Sequence, residues 1–150
     1  MKVSECMSRN VSIAAPDETM QHAAAVMAEL DAGMLPVGDG ERLVGIVTDR
    51  DIAIRGVGSG RSPDTPVSEV MSSEVLYCRD TDDVEDVLAN MGEMQVRRLP
   101  VVDAEKNLVG IVSIGDLAHN GSQQDAGQAL DEITRPSMLH SQSGQARPVS

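Results

Sequence analysis

The sequence predicts an α/β fold of two β-α-β-β-α units, followed by a short C-terminal helix and a tail. Three observations carry this. First, the chain repeats itself: residues 3–42 laid on 67–106, then 43–53 on 108–118 after the inserted Asn107, match at 21 of 51 positions. Unrelated segments of ordinary composition would match at about three or four. Second, each copy alternates short apolar runs with a segment of helical period. Third, 150 residues suit one core or two small halves.

In each copy the first element is a short strand, "VSIAA" (11–15) and "VLYCR" (75–79), read from apolar alternation. A helix follows. "DETMQHAAAVMAELDA" (17–32) sets Met20, Ala24 and Met27 on one face, and "DDVEDVLANMGEM" (82–94) sets Val84, Leu88 and Met91 at matching places. Asp17 and Asp82 or Asp83 are the expected acidic residues at the helix starts. Next come a strand at Leu35–Val37 (Leu99–Val102), a turn over "GDGER" ("DAEKN"), the strand "LVGIV", and a helix after Thr48 (Ser113). The join "RGVGSGRSPDTP" has loop composition. "SQQDAGQALDEITR" can form one more helix, with Ala126, Ala129, Leu130 and Ile133 toward one side, and the remaining residues read as a loose tail. The expected boundaries are 1–58 for the first repeat, 59–66 for the linker, 67–120 for the second repeat, and 121–150 for the helix and flexible tail.

Composition narrows the function classes. A formal charge of −12 and a pI near 4.5 repel phosphate backbones and anionic lipid, so neither nucleic acid nor membrane is an expected partner. No apolar run is long enough for a membrane span and the N-terminus lacks a signal-peptide core, so a cytoplasmic location is expected. With no Trp, no Phe and only Tyr77, the core must be aliphatic and methionine-based. Cys6 and Cys78 show no metal spacing and read as buried or half-buried thiols. His22 reads as an exposed helix-face residue, and no metal site is expected.

The chemistry is concentrated where "LVGIV" ends. "LVGIVTDRDIA" and "LVGIVSIGDLA" both place a hydroxyl and a carboxylate three residues apart at a strand-to-helix turn: Thr48 with Asp51, and Ser113 with Asp116. Helix-start N–H groups around Asp49 to Asp51 lack intrahelical partners and attract anions. The hydroxyl can donate to a phosphate or ribose oxygen, and the carboxylate can accept from a ribose diol. A capping role alone is the alternative reading. Upstream, Arg97 and Arg98 stand where the first copy has Gly33 and Met34, so the copies differ in charge there.

The doubled "LVGIV" strand with T/S-x-x-D, together with "LPVGD" and "LPVVD" upstream, resembles a tandem pair of CBS domains, the Bateman module, over about residues 1–120. In particular it resembles small stand-alone bacterial proteins of that kind. The resemblance implies two repeats related by a pseudo-twofold axis. It also implies a regulatory module that binds AMP, ADP, ATP or a similar adenosine-containing ligand between the repeats. Carried over residue by residue, one site would use Ile46, Thr48 and Asp51 with Leu76, Tyr77, Arg97, Arg98 and Pro100, the arginines reaching phosphate in bidentate fashion. A second, weaker site would use Ser12, Ile13, Pro36, Ile111, Ser113 and Asp116. Surface arginines that merely offset the acidic charge are the alternative for Arg97 and Arg98.

No catalytic motif such as G-x-S-x-G, H-E-x-x-H or a P-loop occurs, so no catalytic residue is expected. The readings carried forward are an adenine-nucleotide sensor, a protein-interaction module without ligand, a binder of an S-adenosylmethionine-type ligand, and, as the enzymatic option, a small hydrolase. No obligatory cofactor is expected. The expected partners are the nucleotide, a second copy of the chain, and an effector protein that the sequence does not identify. Dimerisation is suggested by Ile52, Ile54 and Val57 in "DRDIAIRGV", which exceed what one buried face needs.

Overall fold

The computed structural model describes residues 1–120 and 123–134. The chain forms two compact units. The first-repeat unit comprises Ser12–Val75 and Lys106–Leu108. The second-repeat unit comprises Met1–Val11, Leu76–Glu105 and the described residues from Val109 onward. The opening segment of each sequence repeat is therefore housed with the body of the other repeat.

In the first-repeat unit the elements are α1 (Met20–Leu30), β1 (Met34–Asp39), β2 (Arg42–Thr48) and α2 (Asp49–Asp51). Beyond α2 the helical winding loosens to a π-helix over Ile52–Gly56 and tightens to a 3-10 turn over Val57–Ser59. β1 and β2 form an antiparallel hairpin, Met34 opposite Thr48 and Asp39 opposite Arg42, turned at Gly40 with its φ of 64°. Glycine adopts that left-handed conformation without Cβ strain. The expected strand over 11–15 reduces to one parallel bridge, Ala14 to Val37. Its flanks Ser12 and Ile13 are exposed and only Ala14 is buried, so little apolar surface holds an edge strand there.

The second-repeat unit has β3 (Cys78–Arg79), α3 (Val84–Met94), β4 (Arg98–Val102), all but the first residue of β5 (Leu108–Ser113), α4 (Ile114–Asn120) and α5 (Gln123–Thr134), with strand order β3-β4-β5. Cys78 pairs parallel to Val101, the same register as Ala14 with Val37. The repeat thus holds in three dimensions as well as in sequence.

Helix positions follow the periodicity with two corrections. α1 buries Met20, Ala23 and Met27, and Ala24 is exposed rather than Ala23. Alanines on every side of "QHAAAVMAEL" leave the face undetermined by sequence; the methionines set it, each buried side chain contributing about 1.5–3 kcal/mol. The α1 cap is Thr19, whose Oγ1 accepts from the His22 N–H at 3.1 Å, not Asp17. Asp17 lies in the turn that the Glu18 N–H closes onto the Ala15 carbonyl. α3 buries Val84, Leu88 and Met91 as expected. Both helices stop on a left-handed residue, Asp31 (φ 51°) and Gln95 (φ 57°), and the next amide in each case closes back to Met27 or Met91.

α5 buries Ala129 and Ile133 and packs on α3, but Leu130 faces solvent. The Ala126 side chain and the tail lie outside the described residues. The join between repeats is docked on α1: the Met20 and Gln21 N–H groups donate to the Thr65 and Pro63 carbonyls at 2.8 and 3.1 Å. Those contacts satisfy helix-start donors that would otherwise lack partners.

The repeated words "VSECMS" and "VSEVMS" explain the exchange of segments. In the first-repeat unit the Val67 and Ser68 N–H groups donate to the Glu18 and Pro16 carbonyls, and Ser72 and Ile46 exchange a pair of backbone bonds at 2.9 and 3.0 Å. The second-repeat unit makes the matching set: Val3 and Ser4 to Asp82 and Asp80, and Ser8 with Ile111 at 2.8 and 2.9 Å. Each segment lies directly over the glycine of "LVGIV". A Cβ at Gly45 would stand 2.6 Å from Met71 Sδ and 2.9 Å from the Ser72 carbonyl, and one at Gly110 would stand 2.7 Å from Met7 Sδ and 2.8 Å from the Ser8 carbonyl.

Both cysteines are free and lie in the second-repeat unit, Cys78 buried and Cys6 half-buried. Burial pushes the Cys78 thiol up to about 12 and raises that of Cys6, to which Asp116 adds. Neither is primed as a nucleophile. Among the described residues no helix is long and apolar enough to cross a membrane.

The glycine contacts give a direct test of this architecture. Gly45→Ala forces the Ser72 backbone away from β2 and is expected to cost about 1–3 kcal/mol, as overpacking of a close contact does. Urea denaturation measures it, and an unchanged midpoint would show that the seat is not tight.

Candidate functional site

The strand-to-helix turn at Thr48 is a reciprocal capping box. The Asp51 N–H donates to Thr48 Oγ1 at 3.0 Å, and the Thr48 N–H donates to Asp51 Oδ2 at 3.0 Å. Ser113 and Asp116 make the same two bonds, at 3.1 and 3.0 Å. The capping reading of these residues is therefore correct as far as it goes. It also leaves specific atoms over: a hydroxyl that accepts through one lone pair still has its own proton to donate. At Thr48 and Asp51 the box uses one carboxylate oxygen, while Oδ1 is 3.9 Å from Arg55 Nε.

One expectation is corrected here. The first-turn amides of α2 are not open to an anion. The Asp49 N–H donates to the Gly33 carbonyl at 2.9 Å, the Arg50 N–H to Asp49 Oδ1 at 2.8 Å, and the Asp51 N–H to Thr48. Two carboxylates in the same turn further disfavour an anion. The turn suits a neutral hydroxyl-bearing group, and any phosphate has to be met by other residues.

The two copies differ around this turn in a correlated way. In the first-repeat unit the Asp49 carboxylate closes against Gly33, with Oδ2 3.3 Å from where a Cβ would stand. In the second-repeat unit the matching positions are Ile114 and Arg97, whose N–H and carbonyl make the same backbone bond at 2.9 Å. A side chain at residue 33 would run into a carboxylate, whereas none stands at residue 114.

The remaining expected residues divide between the units. Ile46 is half-buried on β2, paired with Ser72, in the same unit as Thr48 and Asp51. Ser12 and Ile13 are exposed in that unit and Pro36 is buried in β1. Leu76, Tyr77, Arg97 and Arg98 are exposed in the second-repeat unit, where Pro100 is buried and its carbonyl accepts from the Cys78 thiol at 3.8 Å. Ile111 and Ser113 are half-buried at the end of β5, with Asp116 in α4. Arg55 was not among the expected residues. Its signal was present as an acid–base pair four residues apart, Asp51 with Arg55, a spacing that places both on one helix face. Among the described residues no group of three or more His, Cys, Asp or Glu side chains is placed to hold a metal.

Comparison with known proteins matches this geometry to one family. The CBS domain family model fits residues 3–57 and 67–122. The chain is 44% identical over 133 residues to the CBS domain-containing protein YhcV of Bacillus subtilis, covering 88% of this chain and 94% of YhcV. It is 37% identical over 139 residues to Hypoxic response protein 1 of Mycobacterium tuberculosis, covering 91% and 96%. A crystal structure of Hypoxic Response Protein I with two coordinated zinc ions superposes with a TM-score of 0.71, at 38% identity over 79% of this chain and 98% of that one. The CBS domain protein PAE2072 from Pyrobaculum aerophilum complexed with AMP is similar at TM-score 0.68 and 27% identity, covering 77% and 89%. The CBS domain pair of MJ0100 in complex with 5′-methylthioadenosine and S-adenosyl-L-methionine is similar at TM-score 0.68 and 26% identity, covering 80% and 94%. With two matched copies filling most of its length and relatives of the same size and plan, the chain belongs to the CBS domain family.

Proposed function

We propose that this protein is a non-enzymatic sensor that binds an adenosine-containing ligand, with Thr48 and Asp51 holding the ribose. The observation that carries the reading is the capping box with a donor and an acceptor left over on a single turn. A hydroxyl proton and a carboxylate oxygen so placed complement the two hydroxyls of a ribose diol. Relatives solved with AMP, with 5′-methylthioadenosine and with S-adenosyl-L-methionine support the ligand class. A cytoplasmic location belongs to the same proposal and accords with two free thiols.

The two hydroxyl–carboxylate turns are proposed to differ in preference. On the crossed arrangement implied by the family, Arg97 and Arg98 serve the ligand at Thr48 and Asp51. The ligand at Ser113 and Asp116 meets Gly33 and Met34, which carry no charge. The first then takes the phosphorylated ligand, with Ile46, Leu76, Tyr77 and Pro100 toward the base. The second, with Ser12, Ile13, Pro36 and Ile111, is empty or takes a ligand of little negative charge. A bidentate arginine–phosphate contact contributes on the order of 1.5–3 kcal/mol, enough to decide between them in so acidic a protein.

Assembly as a homodimer is proposed from a face of the first-repeat unit. An open groove lined by Ala24, Met27, Ala28, Ile52, Ala53 and Val57 runs between α1 and the helical turns after α2. Val57 in its lining is 69% exposed, and Ile54 on the same helical segment is 58% exposed. In the second-repeat unit the corresponding face of α3 is covered: Gly92, which matches Ala28, lies against Ala129 of α5. The chain has no second α5 in its described residues to cover α1, and a second copy does so in this proposal.

Titration calorimetry with AMP, ADP, ATP and S-adenosylmethionine is the primary test. Asp51→Ala is expected to weaken nucleotide binding by about 1.5–3 kcal/mol, roughly 10- to 150-fold, while the protein stays folded. Arg97→Ala and Arg98→Ala should weaken AMP and ATP, leave adenosine nearly unchanged, and reduce the salt dependence of wild-type binding. Absence of heat with every ligand would favour an interaction module, and phosphate release from ATP would favour a hydrolase. For assembly, light scattering at about 50 µM, a range in which standard-sized interfaces are populated, should give twice the chain mass. Val57→Glu should lower it, and a wild-type monomer would refute the dimer.

A further inference from the structure

The π-wound segment after α2 carries a residue that the family resemblance left unassigned. Arg55 lies one turn beyond Asp51, and its guanidinium reaches in two directions within the first-repeat unit. Nε is 3.9 Å from Asp51 Oδ1, while Nη1 faces the Val70 carbonyl at 3.4 Å and the Met71 carbonyl at 3.2 Å. The Asp51 side chain is 18% exposed and that of Arg55 55% exposed. A pair so open and so long contributes little to stability by itself. Geometry is a better account of it: Asp51 Oδ2 is fixed by the Thr48 N–H, and Arg55 stands beside the only other oxygen of the same carboxylate.

We infer that Arg55 is a positioning residue: it orients Asp51 Oδ1 toward the ligand and ties that carboxylate to the backbone at Val70 and Met71. Val70 and Met71 lead directly into Ser72, whose backbone pairs with Ile46 on the strand that ends at Thr48. Ligand held by Asp51 and order in the 70–72 segment are therefore coupled through one guanidinium. Arginine suits the role better than lysine because its fork faces a carboxylate and carbonyls at once, which a point-charge ammonium does only in part. The device belongs to one repeat alone, since the residue matching Arg55 in the second copy is Asn120. The π winding, a feature that recurs at functional positions in helices, ends at Gly56, which packs so closely on Met20 that a Cβ would stand 2.6 Å from its Sδ.

The ligand half of this inference rests on the nucleoside reading of Asp51, so the test has one arm that needs no ligand. Calorimetry with adenosine and with AMP would compare wild type, Arg55→Ala, Arg55→Lys, Asp51→Ala and the double alanine variant. Amide hydrogen exchange at Ser72 would be followed in the unliganded wild type and Arg55→Ala. Arg55→Ala should weaken adenosine and AMP by the same factor, about three- to tenfold, and Arg55→Lys should restore part of the loss. In the Asp51→Ala background the second substitution should change affinity by less than about twofold, because residues that act through one another are non-additive. Ser72 exchange should rise at least about threefold in Arg55→Ala.

A loss confined to AMP would make Arg55 a phosphate contact and overturn the assignment, as would full additivity with Asp51→Ala. If wild type binds neither adenosine nor AMP, the nucleoside reading itself fails and takes the ligand role of Arg55 with it. Unchanged Ser72 exchange with ligand binding intact would refute the tie to the 70–72 segment.

Discussion

The close seating of a Met-Ser segment on the glycine of "LVGIV" is the contact on which the rest of this fold depends. At Gly45 and Gly110 a methionine sulfur and a serine carbonyl occupy the space a Cβ would need. The approach lets Ser72 pair with Ile46 and Ser8 with Ile111, closing the strand edge. It also brings Val67 and Val70 into one core and Val3 into the other. Because each seat is filled by the opening segment of the other sequence repeat, neither unit has a complete core from its own repeat. Duplication here is structural interdependence, with the "VSE" turns making identical hydrogen bonds in the two units.

The end of the same strand commits most of its polar atoms to folding and leaves a few over. Backbone amides of the turn are satisfied internally, by the Gly33 carbonyl, the Asp49 carboxylate and the Thr48 hydroxyl. Buried polar groups left without partners would cost about 1–3 kcal/mol each, so this satisfaction is a condition for the strand to end there. What remains is a hydroxyl proton and one carboxylate oxygen. Those atoms complement the hydroxyls of the proposed ribose better than a phosphate, and in that proposal charge is met by residues outside the turn. Asp49 against Gly33 in one copy, and Ile114 with Arg97 in the other, show the two repeats diverging in side-chain charge while their backbone bonds stay the same.

Much of this was legible in the residues. The repeat, the element order, the apolar face of α3 and the hydroxyl–carboxylate turns follow from identities and spacing. The exchange of segments was not, for a physical reason: "VSECMS" and "VSEVMS" are so alike that either could occupy either seat, and both pairings satisfy the sequence equally. The partner of the Asp49 amide is a carbonyl sixteen positions earlier, a contact without a side-chain signature. The α1 face was misplaced by one residue because alanine surrounds that helix, and the first strand of each repeat was overestimated because apolar alternation does not report how few neighbours an edge strand has. Arg55 was visible as an i,i+4 partner of Asp51, but its reach to the carbonyls of Val70 and Met71, fifteen and sixteen residues on, is a tertiary contact that spacing does not encode.

The proposed ribose contact requires that the capping box at Thr48 leave Asp51 able to accept from a diol. Its most direct measurement is the affinity of adenosine against 2′-deoxyadenosine in wild type and in Asp51→Ala. Removing the hydroxyl should cost wild type about tenfold and the variant little, since in the variant the hydrogen bond to the charged group is already gone. An equal loss in both proteins, or none in wild type, would mean that Asp51 serves only to cap the helix.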